Sequence, residues 1–356
     1  MTATVLAPVD PLSGMFDYAL GFKPAGERIL GERAERSQLA ARLIPYHVPF
    51  LDDYLRGILP HDLTLLGAGT GVGKTDLAVS VARRSAESGR TVHYFALEAE
   101  DKEIERRTKY GLIAGWMAER RMPFLGQFNY VDWYLGRCNA IVGDLDREAD
   151  EEMRLRYRTL HTYYRGREFL GDELRRLMQA HQTITDLIVI DHLHYVDIAD
   201  DNENRGMRAL IKVIRDTALE TGRPVLLVVH LRKAGTMGRP ALVPDLDQVH
   251  GSSEISKVAT NVTMIARAPF PGREWWLSPT FQTIPKFRMG GACRLVAMSN
   301  FDIRTRAYEP TYTLGRLEDG GGTWTEIERD KAPPWARRFE ARGVASPLTT
   351  APEKRR

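Results

Sequence analysis

The run Leu63-Thr64-Leu65-Leu66, the loop Gly67-Ala68-Gly69-Thr70-Gly71-Val72-Gly73-Lys74-Thr75 and the helical pattern Asp76 to Ser88 constrain this chain more than any other feature. A β-rich run, a glycine-rich loop and a helix, in that order, predict a strand that turns through a phosphate cradle. The glycines let successive backbone N–H groups curl towards an anion, Lys74 reaches the β and γ oxygens, and the Thr75 hydroxyl is offered to Mg²⁺. ATP and Mg²⁺ are therefore the expected cofactors, held by Ala68, Gly69, Thr70, Gly71, Val72, Gly73, Lys74 and Thr75. Ala68 stands where the motif has its first glycine, a position that needs a small side chain more than a positive φ.

Around this loop, short β-rich runs (Leu63–Leu66, Val92–Leu97, Leu187–Ile190, Val225–Val229, Val262–Ala266) alternate with longer helical stretches. That alternation predicts a parallel sheet covered by helices. Arg294–Met298, Tyr308–Leu314 and Gly322–Ile327 read as antiparallel strands extending the sheet. With 356 residues, 43% hydrophobic and 27% charged, the chain is sized for one main core and a small appendage. The expected organisation is a leader with a linker helix over 1–45, the α/β domain over 46–330 and a tail over 331–356. The leader helix spans Glu27 to Leu43, with Ile29, Leu30, Leu39 and Leu43 as its apolar anchors. The tail carries seven Lys and Arg against two Glu and is broken by four prolines, a composition that predicts disorder and also suits electrostatic contact with nucleic acid.

No apolar run approaches the about 20 residues needed to cross a bilayer, and Met1 to Ser13 has no signal-peptide pattern. Cys138 and Cys293 are far apart and lack metal-ligand spacing. A reducing, cytoplasmic setting without membrane contact is the expectation.

Triphosphate hydrolysis needs a carboxylate for the hydrated Mg²⁺ and a base to orient water, both at carboxyl ends of strands beside the loop. The apolar strand Leu187–Ile190 ends in Asp191, assigned with Thr75 to the metal. Val92 to Leu97 ends in Glu98, assigned as the base. His192 and His194 share a strand face, but no further His or Cys ligand is near them in sequence, so they are read as packing residues.

Together these stretches resemble the DnaB-type and bacteriophage replicative helicases over roughly Tyr46 to Leu314. The resemblance rests on the loop with its alanine, Phe50-Leu51-Asp52-Asp53, Pro60 to Thr64, Phe95 to Glu98 and Ile190 to Leu193. It continues through Val228 to Arg232, Gly251 to Ile255 with Ala259-Thr260-Asn261, and Lys286-Phe287-Arg288. It implies an α/β, RecA-like P-loop NTPase core with a mainly parallel sheet flanked by helices and an antiparallel extension at the C-terminal edge. By the same likeness His230 senses the γ-phosphate, and Lys286 and Arg288 act on the nucleotide of the next subunit in a homo-oligomeric ring, expected to be a hexamer. A guanidinium given in trans also suits the chemistry, because it stabilises charge on the transferring phosphoryl. Single-stranded DNA is the implied partner, contacted by the long Gly- and Pro-rich segment Lys233 to Ser253 through Lys233, Arg239, His250, Gly251 and Ser252.

Forty-five leader residues are too few for the large helical domain that cellular relatives carry, so a separate loader or primase is expected as a further partner. The implied function is an ATP-dependent, 5′→3′ DNA helicase of replication. The competing reading is a RecA-fold ATPase switch or assembly scaffold that regulates other proteins without unwinding.

Overall fold

The computed structural model describes residues 24–166, 169–197, 203–231, 241–249, 253–341 and 348–349. The chain divides into two units, Met1–Leu43 and Ile44–Arg356.

In the first unit the expected single helix is two, Ala25–Arg28 and Glu32–Arg42, separated at Gly31, whose φ of 86° is left-handed. The glycine lets the backbone leave the helical basin without a Cβ penalty. Ile29 and Leu30 lie at this break and are exposed, so these two expected anchors do not serve a continuous apolar face.

The second unit is built, among the described residues, on one sheet of twelve strands in the order β12-β11-β10-β8-β7-β6-β1-β5-β4-β2-β3, with β9 paired to β8. The parallel half consists of β1 (Leu63–Ala68), β2 (Val92–Ala96), β3 (Leu160–Tyr164), β4 (Leu187–Asp191), β5 (Val225–His230) and β6 (Asn261–Arg267). From β6 onward the pairing is antiparallel, through β7 (Leu277–Phe287), β8 (Val296–Asp302), β9 (Ala307–Tyr308), β10 (Thr313–Glu318), β11 (Thr323–Glu326) and β12 (Leu348–Thr349). The expected strand Tyr308–Leu314 is divided between β9 and β10. Two strands lacked a clear sequence signal: β3 is polar and half-buried at the edge, and β7 carries Pro279 and Pro285 within it.

Successive side chains of the central strands alternate between two cores, as a period of two requires. Leu66, Ala68, Tyr94, Val189 and Val228 pack on one face with Leu77, Ala78, Val81 and Ala82 of the helix Lys74–Glu87. Leu65, Phe95, Ile190 and Leu227 face the other way, towards the helices Gly171–Ala180 and Glu203–Thr221. Strands buried on both faces must be apolar throughout, and that continuity makes them legible in sequence.

The segment from Lys331, expected to be a free tail, instead packs along the domain as far as Glu340. Trp335 sits 4.9 Å from Tyr54 and 6.1 Å from Phe50, ring to ring. The backbone N–H of Arg338 donates to Asp53 Oδ2 at 2.8 Å, and Phe339 bridges to Tyr312. Two aromatic anchors and a buried carboxylate as acceptor outweigh the local basic, proline-rich composition.

Candidate nucleotide site at the carboxyl ends of the parallel strands

The register places the chemistry at one end of the sheet. Ala68 at the end of β1 is opposite His230 at the end of β5, and Ala96 at the end of β2 is opposite Asp191 at the end of β4. The loops leaving these strands therefore converge on the phosphate loop. Gly71 and Gly73 take φ of 74° and 102°, and a Cβ on either would meet nothing within 4 Å. The glycines are thus required by backbone conformation rather than by crowding. Gly73 caps the helix Lys74–Glu87, so the loop amides and the helix N-terminus face the same space.

Lys74 is buried, and its ammonium donates to His230 Nδ1 at 2.9 Å. Burial lowers its pKa, opposed by the negative charges of Glu98 and Asp191. Asp191 is 4% exposed and accepts from the Tyr94 hydroxyl at 2.7 Å on Oδ2, while Oδ1 is buried without a hydrogen-bond partner. Burial raises its carboxyl to about 6, against the pull of Tyr94 and Thr75. A buried carboxylate with one open oxygen, beside the Thr75 hydroxyl and a buried cation, fits a hydrated Mg²⁺ held against phosphate. ATP and Mg²⁺ therefore suit the residues present.

Glu98 follows β2 and lies 3.3 Å (Oε2) from His192 Nε2 and 3.9 Å from His230 Nε2. The rings of His192 and His230 meet edge to face at 3.8 Å between centroids. Burial, then His230, His194 and Lys74, push His192 down to about 2, so it is neutral. These neighbours come from three separate strand ends, which is why sequence spacing gave His192 no partner.

Tyr94 was not singled out in the sequence, although its place two residues before Ala96 on β2 puts it on the same face as that strand end. Asp76, beside Thr75, was also passed over. It receives Arg107 at 2.7 Å and Arg306 at 2.8 Å, tying the start of the phosphate-loop helix to two distant segments.

Lys286 and Arg288 lie elsewhere. On β7, Lys286 pairs with Val262 and Phe287 with Asn261, whereas Ala68 is level with Ile265. At ~3.3 Å per residue, Arg288 is set back more than about 13 Å from the phosphate-loop end of the sheet. Lys286 donates to the Lys257 carbonyl at 2.7 Å, and burial followed by the charges of Arg288 and Arg215 lowers its pKa. Arg288 is exposed and makes no ion pair among the described residues. Lys233, Arg239, His250, Gly251 and Ser252 lie outside the described residues.

Fold and site together define a RecA-like P-loop ATPase domain. The chain belongs to the AAA domain family AAA_25, whose model matches residues 32–236. Its structure is similar to a solved DnaB-like helicase ATPase domain, with a TM-score of 0.63 and 16% identity over 80% of this chain and 98% of that one. It is likewise similar to a DnaB-like replicative helicase solved in a study of its interactions with primase, with a TM-score of 0.63 and 15% identity over 84% and 71% of the two chains. The fold is thus that of DnaB-type helicase ATPase domains. Comparison with curated proteins gives no match. Among the described residues no helix is long and apolar enough to cross a membrane.

Proposed function

We propose that this chain is an ATP-hydrolysing motor that assembles into a ring, a hexamer by family likeness, and moves along single-stranded DNA as a replicative helicase. The observation that carries the proposal is the separation within one chain between the phosphate loop and the exposed Arg288 at the opposite end of β7. A finger set back this far suits the nucleotide of a neighbouring subunit, which makes hydrolysis depend on assembly.

When bound, Mg²⁺ neutralises charge developing on the transferring phosphoryl. Asp191 Oδ1 and the Thr75 hydroxyl hold it through their oxygens. The amides of Gly69 to Gly73 and the ammonium of Lys74 hold the phosphates, which draws Lys74 away from His230. Glu98 orients the attacking water and takes up its proton, and His230 on β5 detects the γ-phosphate through the position that Lys74 vacates. A buried, preorganised set of this kind acts on the transition state more than on ground-state binding.

The leader helices serve as the linker element, and Lys233, Arg239, His250, Gly251 and Ser252 track the DNA backbone. The DnaB-like neighbour was solved in a study of primase interaction, which supports a separate primase or loader as partner. The domain limits, the cytoplasmic setting and 5′→3′ movement belong to the same proposal. ATPase activity should rise on adding single-stranded DNA, with little sequence preference and steep loss at high salt, and a forked duplex should be unwound with ATP. An enzyme that hydrolyses ATP but neither responds to DNA at low salt nor unwinds the fork would instead be the switch or scaffold.

A further inference from the structure

We infer that Glu98, His192 and His230 form a transition-metal site of the zinc type, whose occupation by Zn²⁺ holds the catalytic carboxylate and stops ATP turnover. The inhibitory part rests on the reading of Glu98 as the base; the site itself rests on geometry alone.

One donor atom from each of the three residues lies within 4.8 Å of the others. Ligands of a tetrahedral zinc ion are bonded at about 2.0–2.1 Å and so stand about 3.3 Å apart, which is the His192 Nε2 to Glu98 Oε2 distance, 3.3 Å. The remaining gap, 3.9 Å from His230 Nε2 to Glu98 Oε2, closes by movement of Glu98, the most exposed of the three.

The second, independent observation is His192. Its ring is fully buried, yet neither Nδ1 nor Nε2 has a hydrogen-bond partner. Buried imidazoles are normally satisfied, and this one directs Nε2 at the carboxylate. Two imidazoles and one carboxylate, with room for water at a fourth position, is a zinc donor set. It differs from the oxygen donors of Thr75 and Asp191 that suit Mg²⁺, so the two ions do not compete for the same atoms.

Lys74 makes the site conditional. An imidazole that binds metal through Nε2 carries its hydrogen on Nδ1, but His230 Nδ1 accepts from Lys74. Metal binding therefore requires Lys74 to withdraw, and removing its ammonium should tighten metal binding.

The nucleotide-free, full-length protein titrated with Co²⁺ should take up one ion per chain with the visible absorption of a low-coordinate site and no thiolate charge-transfer band, which separates it from Cys138 and Cys293. Glu98→Gln, a near-isosteric change at a part-exposed position, should weaken that binding about ten-fold or more, and Lys74→Met should strengthen it. Zn²⁺ added to the Mg²⁺-ATP reaction should inhibit wild-type turnover, reversed by a zinc-selective chelator. A protein with the Co²⁺ spectrum but no ATPase activity would retain the site and refute the motor. An active ATPase that shows no low-coordinate Co²⁺ spectrum, that binds Co²⁺ equally after Glu98→Gln, or that is indifferent to Zn²⁺ overturns the inference.

Discussion

The ammonium of Lys74 and Nδ1 of His230 are 2.9 Å apart, so the cation that serves the phosphates is held, without nucleotide, by the residue that ends the adjacent strand. Lys74→Ala should abolish hydrolysis and weaken nucleotide binding. Glu98→Gln should keep ATP bound while stopping turnover. Nucleotide-binding and single-turnover assays separate the two, and near-normal kcat in Glu98→Gln would move the role of base to another acid.

Arg288→Ala should leave folding and ATP affinity nearly unchanged and lower kcat by on the order of 10³ or more, as loss of a trans finger does. Mixed with the Lys74→Ala protein it should regain part of the activity, because some interfaces join an intact site to an intact finger. If sizing shows rings and no mixing ratio restores turnover, Arg288 does not act across an interface.

Tyr94→Phe removes the donor that Asp191 Oδ2 receives inside the protein. Stability should fall by about 1–2 kcal/mol, and the Mg²⁺ concentration for half-maximal activity should rise about ten-fold, the usual cost of losing a partner of a metal-holding carboxylate. An unchanged Mg²⁺ dependence would mean that Asp191 is oriented without the tyrosine.

His93 stacks between His161 and His181 at 4.9 and 4.8 Å, and burial, then the two neighbouring histidines, lowers its pKa from 6.5 to about 4. The folded state disfavours the protonated ring, so its contribution to stability is complete above pH 6.5 and is lost as pH falls towards 4. Asp52, raised by burial to about 6, works in the opposite direction over part of that range. The informative quantity is therefore the difference between proteins: melting temperatures of His93→Gln should fall less than those of wild type between pH 6.5 and 4, and parallel curves would exclude the histidine.

Much of the architecture was legible because its causes are local. A strand buried on both faces must be apolar throughout, as Leu187–Ile190 and Val225–Val229 are, and a phosphate turn must place glycines where φ is positive, as Gly71 and Gly73 do. Both requirements leave a mark within a few residues. β3, β7 and the segment around Trp335 left little mark, since their place depends on what a distant part of the chain offers them. The surroundings of the candidate site belong to that second kind. Which strand neighbours which, and in what register, brings Glu98, His192 and His230 within reach and puts Tyr94 beneath Asp191. The same register sets Arg288 back from the phosphate loop of its own chain. The sequence by itself determined the parallel sheet and its phosphate loop; tertiary structure decided these pairings, because residues up to 259 positions apart, such as Asp53 and Tyr312, meet only once the sheet has closed around them.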